Sequence, residues 1–315
     1  MIAAALLLHA TPLPASVRAV RPVEAHGALR VAGGAVVDRR GRPVALRGVS
    51  LFWSQWGGRF YDPRTIRWLR RDWRISVVRV AVGVHEGGYL EHPEREFAKA
   101  AAVVDAAIAE GLYVIVDWHA HRPEPQAAAL FFERVARRWG HRPNLIYETW
   151  NEPLREHGWS DLVKPYHERV IARIRAIDPD NLVVAGTPTW SQDVDVAAAD
   201  PLRSANTAYT LHFYAGTHGA ALRRKADRAR SRGAALFVTE WGASEADGNG
   251  RLATAETRAW WRWLAARRIG DVNWSIMDKA ETSAALRPGA ASGGGWADRD
   301  LTGSGRMVRE RLRGR

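Results

Sequence analysis

Cysteine is absent from all 315 residues, which excludes disulfide staples, a thiol nucleophile and any thiolate-ligated metal centre. Stability must come from burial instead, and a 46% apolar composition over this length is enough for one substantial core. Long hydrophobic runs are missing too. The run Ile2 to Leu8 falls far short of the roughly 20 residues a spanning helix needs, so no membrane span is expected. It is followed by Thr11-Pro12-Leu13-Pro14 and by small residues near Ala15, Ala19 and Ala25, and it reads as a signal peptide without its usual basic first region. Residues 1–25 are accordingly assigned to a leader truncated at its start, residues 26–315 to a single domain, and the expected location is secreted or periplasmic. Acidic charge is the third scarcity: 34 Asp and Glu against 46 Lys and Arg leave a net charge of +12. Such a balance raises nucleic-acid binding as an idea, but its distribution argues against it. Arg134, Arg137 and Arg138, and again Arg223, Arg224, Arg228 and Arg230, are interleaved with apolar positions as on the solvated face of amphipathic helices, so no specific nucleic-acid partner is expected.

Apolar segments and amphipathic stretches alternate through the rest of the chain. Strands are expected at Val44–Leu51, Ser76–Val82, Tyr113–His119, Leu145–Trp150, Leu182–Gly186, Thr207–Tyr214, Ala235–Trp241 and Val272–Met277. Helices are expected between them, among them Glu94–Glu110, Gln126–Trp139, Asp161–Ile177 and Ala255–Arg268, with a last one around Arg306–Leu312. Near-continuous apolar strands separated by helices form the pattern of a parallel (β/α)8 TIM barrel. Residues 29–48, with Arg39-Arg40-Gly41-Arg42-Pro43 between two apolar segments, read as an N-terminal β-hairpin cap on the barrel floor. The Gly/Ser-rich piece Gly289–Gly295 reads as a loop over the barrel mouth.

In such a barrel the carboxyl ends of all strands face one cup. The polar residues found there are Arg79, His119, Asn151, Glu152, His212, Tyr214 and Glu240, with Trp274, Lys279 and Glu281 around the last strand. Two glutamates at strand ends, Glu152 and Glu240, suit glycoside hydrolysis, where one carboxyl protonates the leaving oxygen and the other attacks or activates water. Among the 15 tryptophans, Trp56 and Trp190 are candidate stacking platforms for the apolar faces of pyranose rings, the alternative for each being a buried loop residue.

Several segments carry a family resemblance: Val77-Val78-Arg79, Val116-Asp117-Trp118-His119, Tyr147-Glu148-Thr149-Trp150-Asn151-Glu152-Pro153, Leu211-His212-Phe213-Tyr214, Thr239-Glu240-Trp241-Gly242 and Asn273-Trp274-Ser275. Together with Lys279, Glu281 and Gly294 to Leu301, they resemble, in order, the retaining β-glycanases of glycoside hydrolase family 5, clan A, and most of all the bacterial endo-β-1,4-glucanases. The resemblance implies that Glu152 is the acid/base and Glu240 the nucleophile. Arg79 and Tyr214 would hold Glu240 ionised, and Asn151 would bond the sugar 2-hydroxyl. His119 and His212 would bind hydroxyls or support the acid/base, Trp274 would floor the cleaved sugar, and Lys279 with Glu281 would grip the next one. The nearby second carboxylate is expected to raise the pKa of Glu152. The implied substrate is a β-glucan or cello-oligosaccharide, with no metal or organic cofactor. Phe52 departs from the pattern, because many family members have a substrate-contacting histidine there.

Other readings remain. A mannanase, xyloglucanase or lichenase would share the carboxylates. A carbohydrate-binding barrel without catalysis would keep the aromatic cleft but degrade the carboxylates or their supports. A metal-dependent barrel hydrolase would draw on His119, His121, His212, His218 and Asp278.

Overall fold

A computed structural model describes residues 20–314, so residues 1–19 of the leader expected over residues 1–25 lie outside the described residues. Eight parallel strands close into a barrel: β3 Arg47–Leu51, β4 Val77–Gly83, β5 Tyr113–His119, β6 Leu145–Glu148, β7 Leu182–Ala185, β8 Thr207–Tyr214, β9 Leu236–Gly242 and β10 Asp271–Ile276, with β10 paired to β3. Each coincides with an expected strand, shifted or trimmed by a few residues at its ends. The helices Pro93–Glu110, Pro125–Trp139, Thr254–Arg267 and Gly303–Leu312 are likewise close to expectation. Two of these start on a proline, whose missing N–H costs nothing in the first turn. The stretch expected as one helix over Asp161–Ile177 divides into a wide turn, Trp159–Val163, and the helix Lys164–Arg175.

Alternation along each strand decides what enters the barrel. On β4, Val78, Val80 and Val82 point outward into the main core beneath the helices. Val77 points inward to the floor cluster, where it meets Tyr113, Ile115, Ile146, Val184 and Phe237. Ala81, nearer the mouth, packs with Phe52 and Trp274. Arg79 therefore occupies the middle layer of the barrel interior. An apolar floor below and an aromatic rim above leave that layer to polar groups.

The floor is closed by the hairpin β1 Arg30–Ala32 and β2 Ala35–Val37, whose Leu29 and Val36 join the floor cluster. Its turn is not at Arg39–Pro43, as the sequence suggested. It is Gly33-Gly34, both at positive φ (57° and 71°), which lets two residues reverse the chain with the twist of the strands. The Arg39–Arg42 stretch is a second turn, tied by Asp38 Oδ1 accepting from the backbone N–H groups of Arg40 and Arg42. The helix Pro22–His26 also belongs to the floor, with the Val23 N–H bonded to the Gly111 carbonyl and Tyr113 Oη donating to the Gly27 carbonyl. Ala25 lies inside it.

The Gly289–Gly295 loop does not overhang the cleft. Its Ala290 carbonyl accepts from Arg59, and Gly294 lies against Trp68, while the adjoining Trp296 packs edge-on against Phe60 and Trp73. Apolar burial against the helical segments Pro63–Trp68 and Leu69–Trp73 draws this loop to the flank.

Candidate active site

Strand β6 ends at Glu148, but the chain beyond it stays tied to its neighbours. The Thr149 N–H bonds to Val184 O, whereas the Asn151 and Glu152 N–H groups bond to Trp118 O and Ala120 O. The chain thus crosses from β7 to the end of β5, which turns Asn151 and Glu152 over the barrel mouth. Glu240 is placed by β9 itself, paired in register with His212 of β8.

Arg79, fully buried, joins these groups. Its Nε and Nη2 reach Glu148 at 2.7 and 3.2 Å, Nη1 reaches Glu240 Oε2 at 2.9 Å, and Nη2 reaches Asn151 Oδ1 at 2.6 Å and Asp117 Oδ2 at 3.0 Å. A planar fork with five donors is the side chain that can serve so many acceptors at once. Burial pushes the Asp117 carboxyl well up, against the pull of Arg79, and pushes the His119 imidazole well down. The Asp117 Oδ2–His119 Nδ1 contact, 2.6 Å, lies beneath the cleft. His119 also stacks on Trp274, rings 5.1 Å apart and 4° from parallel, and meets the edge of Trp53 at 4.0 Å.

Tyr214 Oη donates to Glu240 Oε1 at 2.7 Å. Glu152 is held on both oxygens: Oε1 lies 2.8 Å from His212 Nδ1 and Oε2 lies 3.1 Å from His121 Nε2. The hydroxyl of Thr239 donates to Glu148 Oε1 at 2.6 Å, so it must accept from His212 Nε2–H at 2.9 Å. With Glu152 ionised, both nitrogens of His212 then carry protons. Burial alone would lower the His212 pKa, but Glu148 beside Nε2 and the hydrogen bond to Glu152 push it up to about 9.

The protonation of the two glutamates differs from the sequence expectation. Burial raises Glu152, yet the hydrogen bonds of His121 and His212 outweigh it and hold the carboxyl well below the usual range. Glu240 is raised, by burial first and by the charge of Glu152, although His212, Arg79 and Tyr214 all pull it down. The second carboxylate thus raises Glu240 rather than Glu152, because the imidazole donors face Glu152.

The two carboxyls open on a cleft of about 610 Å³ lined by Phe52, Trp53, His119, Trp274, Lys279 and Glu281, among others. Lys279 Nζ pairs with Glu281 Oε2 at 2.5 Å. Trp56, half exposed, lines the same cleft. Trp190, 38% exposed, lines a second cavity of about 330 Å³ that shares Glu152, Tyr214 and Glu240 with the first. Its backbone and those of Thr189 and Ser191 all have positive φ, 53° to 57°, a costly conformation for residues with a Cβ. The Trp190 N–H bond to Pro153 O and the Ser191 Oγ bond to Asn151 O hold it there. Both tryptophans singled out in the sequence therefore lie beside the glutamates, on two contiguous cavities. By contrast Trp73, Trp118, Trp150, Trp241, Trp260 and Trp296 are fully buried packing residues.

The groups of the metal-hydrolase alternative do not converge. Asp278 pairs with Arg59, the His218 ring accepts from the Tyr214 N–H, and His119 faces Asp117. Among the described residues the one trio whose donor atoms lie within 4.8 Å of one another is Glu152, His212 and Glu240. That spacing also brings an oxygen of Glu152 within 4.8 Å of one of Glu240.

A family model described as cellulase (glycosyl hydrolase family 5) matches residues 37–280. The chain belongs to glycosyl hydrolase family 5. It is 49% identical to endoglucanase Z of Dickeya dadantii over 271 residues, covering 84% of this chain and 62% of that relative's own length. A solved structure from Cytophaga hutchinsonii superposes with a TM-score of 0.92 at 50% identity, covering 93% of this chain and 97% of that one. A catalytic-domain variant of a Thermobifida fusca endoglucanase, solved in complex with cellotetraose, superposes with a TM-score of 0.89 at 32% identity, covering 93% of this chain and all of that one.

Within this family 5 barrel, four polar residues of the site escaped the strand-end reading. Asp117 and Thr239 sit inside apolar strands, and Glu148 ends β6 two residues short of the expected strand end at Trp150, so all three look like core until alternation is followed from the floor upward. The fourth, His121, was weighed only as a metal ligand. Its signal was proximity in sequence to His119 just past the end of β5, where a side chain reaches the mouth.

Proposed function

We propose that this chain is a retaining endo-β-1,4-glucanase that cleaves internal bonds of cellulose-type or mixed-linkage β-glucans with Glu152 as acid/base and Glu240 as nucleophile. The observation that carries it is the pair of carboxyls at close range beneath an aromatic-lined cleft, each with its own set of partners. In the first step Glu152 gives a proton to the glycosidic oxygen as the C–O bond breaks and Glu240 bonds to the anomeric carbon. In the second, water gives its proton to Glu152 and attacks that carbon, releasing Glu240. The first step needs Glu152 protonated, so it takes its proton from water as substrate binds. When Glu152 takes up a proton on substrate binding, the negative charge that raises Glu240 is removed, and His212, Arg79 and Tyr214 favour its ionised, nucleophilic form. Trp274 and Phe52 floor the cleft, while Lys279 and Glu281 supply paired hydroxyl partners toward the non-reducing end. Phe52 replaces a hydrogen-bonding group with an apolar face, its ring 5.2 Å from that of Trp274. Export is part of the proposal, resting on the Ile2–Leu8 run and testable by sequencing the amino terminus of protein recovered outside the cell.

Reducing ends are expected from carboxymethyl cellulose and barley β-glucan, and weakly or not at all from glucomannan, xyloglucan and xylan. The first product observed by NMR should be the β-anomer, and an α-anomer would exclude the double displacement. Glu152→Ala is expected to slow β-glucan hydrolysis by about 10²- to 10⁴-fold while leaving glycosylation by activated aryl cellobiosides nearly intact. Equal losses on both substrates would remove Glu152 from the acid/base role.

A further inference from the structure

We propose that His121 is a positioning residue for the acid/base, donating from Nε2 to the cleft-facing oxygen of Glu152 and thereby setting the basic limb of the pH–rate profile. The inference rests on Glu152 being the acid/base, as proposed above. Its geometric basis is the division of labour between the two carboxyl oxygens. Oε1 is turned inward to His212, which is 2% exposed and locked through Thr239 to Glu148. Oε2 is therefore the oxygen left to meet a glycosidic oxygen, and it is the one that His121 Nε2 touches at 3.1 Å. His121 is 41% exposed and lines the cleft, and its ring stands edge-on to Trp53 at 5.6 Å. It sits where it can stay in contact with Oε2 while a sugar occupies the cleft.

Glu152 loses its proton from Oε2 as the leaving oxygen is protonated. A hydrogen bond from His121 is worth more to the carboxylate that results than to the neutral acid, so it strengthens in the transition state. In the second step the same bond holds Oε2 in place to receive the proton from water. His121 itself gains and loses no proton in the cycle. The titratable and charged groups around it are Glu152, Glu240, His212 and His119, with Arg122 next to it on the same loop. Burial lowers the His121 pKa, but the Glu152 hydrogen bond and the carboxylate charges win and raise it, in keeping with a donor facing an anion. Because His121 favours the ionised form of Glu152, its removal must raise the Glu152 pKa.

The test compares His121→Ala and His121→Gln with wild type on β-glucan and on an activated aryl cellobioside, with Glu152→Ala alongside. His121→Ala is expected to move the basic limb of kcat, which reports the substrate complex in which Glu152 is protonated, upward by about one pH unit and to lower kcat on β-glucan by between about threefold and tenfold, with KM little changed and the aryl substrate spared. His121→Gln, which keeps an N–H at similar reach, should bring kcat back toward wild type and return the limb to within a few tenths of a unit. A raised KM with the limb unmoved would overturn the proposal and leave His121 as a sugar contact, and failure of His121→Gln to restore kcat would overturn the donor role. If Glu152→Ala kept wild-type activity on β-glucan, the acid/base assignment itself would fail. A leaving-group-dependent loss in Glu152→Ala beside an unmoved limb in His121→Ala would sink this inference alone.

Discussion

Glu240→Gln is expected to lower kcat/KM on β-glucan by about 10⁴-fold or more, because it removes the oxygen proposed to bond to the anomeric carbon and leaves the rest of the side chain in place. The amide oxygen still accepts from Tyr214 Oη or Arg79 Nη1, which now reach the carboxylate at 2.7 and 2.9 Å. The fold should not suffer. Glu240 is raised by burial and by its neighbour's charge, so its ionised form is held at a cost that the neutral amide does not carry. The melting temperature of Glu240→Gln should accordingly equal or exceed that of wild type, which separates lost chemistry from lost structure. Glu240→Ala with azide gives a second readout. An external anion entering the vacated space attacks from the nucleophile's face, so an α-glycosyl azide is expected, and a β-azide would move the nucleophile elsewhere.

How much of this was legible in the sequence depends on which layer of the barrel a residue occupies. The strands were legible because parallel strands buried on both faces are written as apolar runs, and the mouth was legible because those runs end abruptly in Asn151-Glu152 and Thr239-Glu240-Trp241-Gly242. The middle layer was not. Asp117 and Glu148 stand next to each other in the β5–β6 register and both converge on Arg79, but one-dimensional order places them between apolar neighbours and says nothing about the fork that binds them. Protonation was the least legible property. Reading two carboxylates as mutually repelling gave the wrong member the raised pKa, since the outcome depends on which of them the imidazoles of His121 and His212 face. The hairpin shows a subtler point: both turns close antiparallel pairings, Gly33-Gly34 between β1 and β2 and the Arg39–Arg42 stretch at the Val37–Pro43 bridge, and the sequence reading took only the second.

Arg79→Met should cost both stability and activity. The fully buried guanidinium offsets negative charge on Glu148, which water does not reach, and on Glu240 at the cleft floor, and methionine fills its stem while offering no donor. Removing one partner of a buried ionic network leaves the others uncompensated, a loss of about 3 to 5 kcal/mol, measurable by denaturant unfolding. The loss should depend on pH with a definite sign. In wild type, burial raises Glu148 but Arg79 and His212 outweigh it and hold its pKa below the ordinary value, so Glu148 stabilises the fold above its unfolded pKa and that contribution fades as pH falls. Without Arg79 the same carboxylate is a buried charge short of a partner, and protonating it gives relief. The stability gap between variant and wild type should therefore narrow on going from about pH 8 to about pH 5. A constant gap would mean that Arg79 acts by packing alone. Arg79→Lys completes the argument. A single ammonium can restore charge, and with it part of the stability, but it cannot reproduce Nε on Glu148, Nη1 on Glu240 and Nη2 on Asn151 together. Its kcat/KM should stay well below wild type even where its melting temperature recovers, because the nucleophile is aimed by the planar fork and not by the charge it carries. Wild-type turnover in Arg79→Lys would refute that, and would leave Tyr214 and the β9 backbone as what orients Glu240.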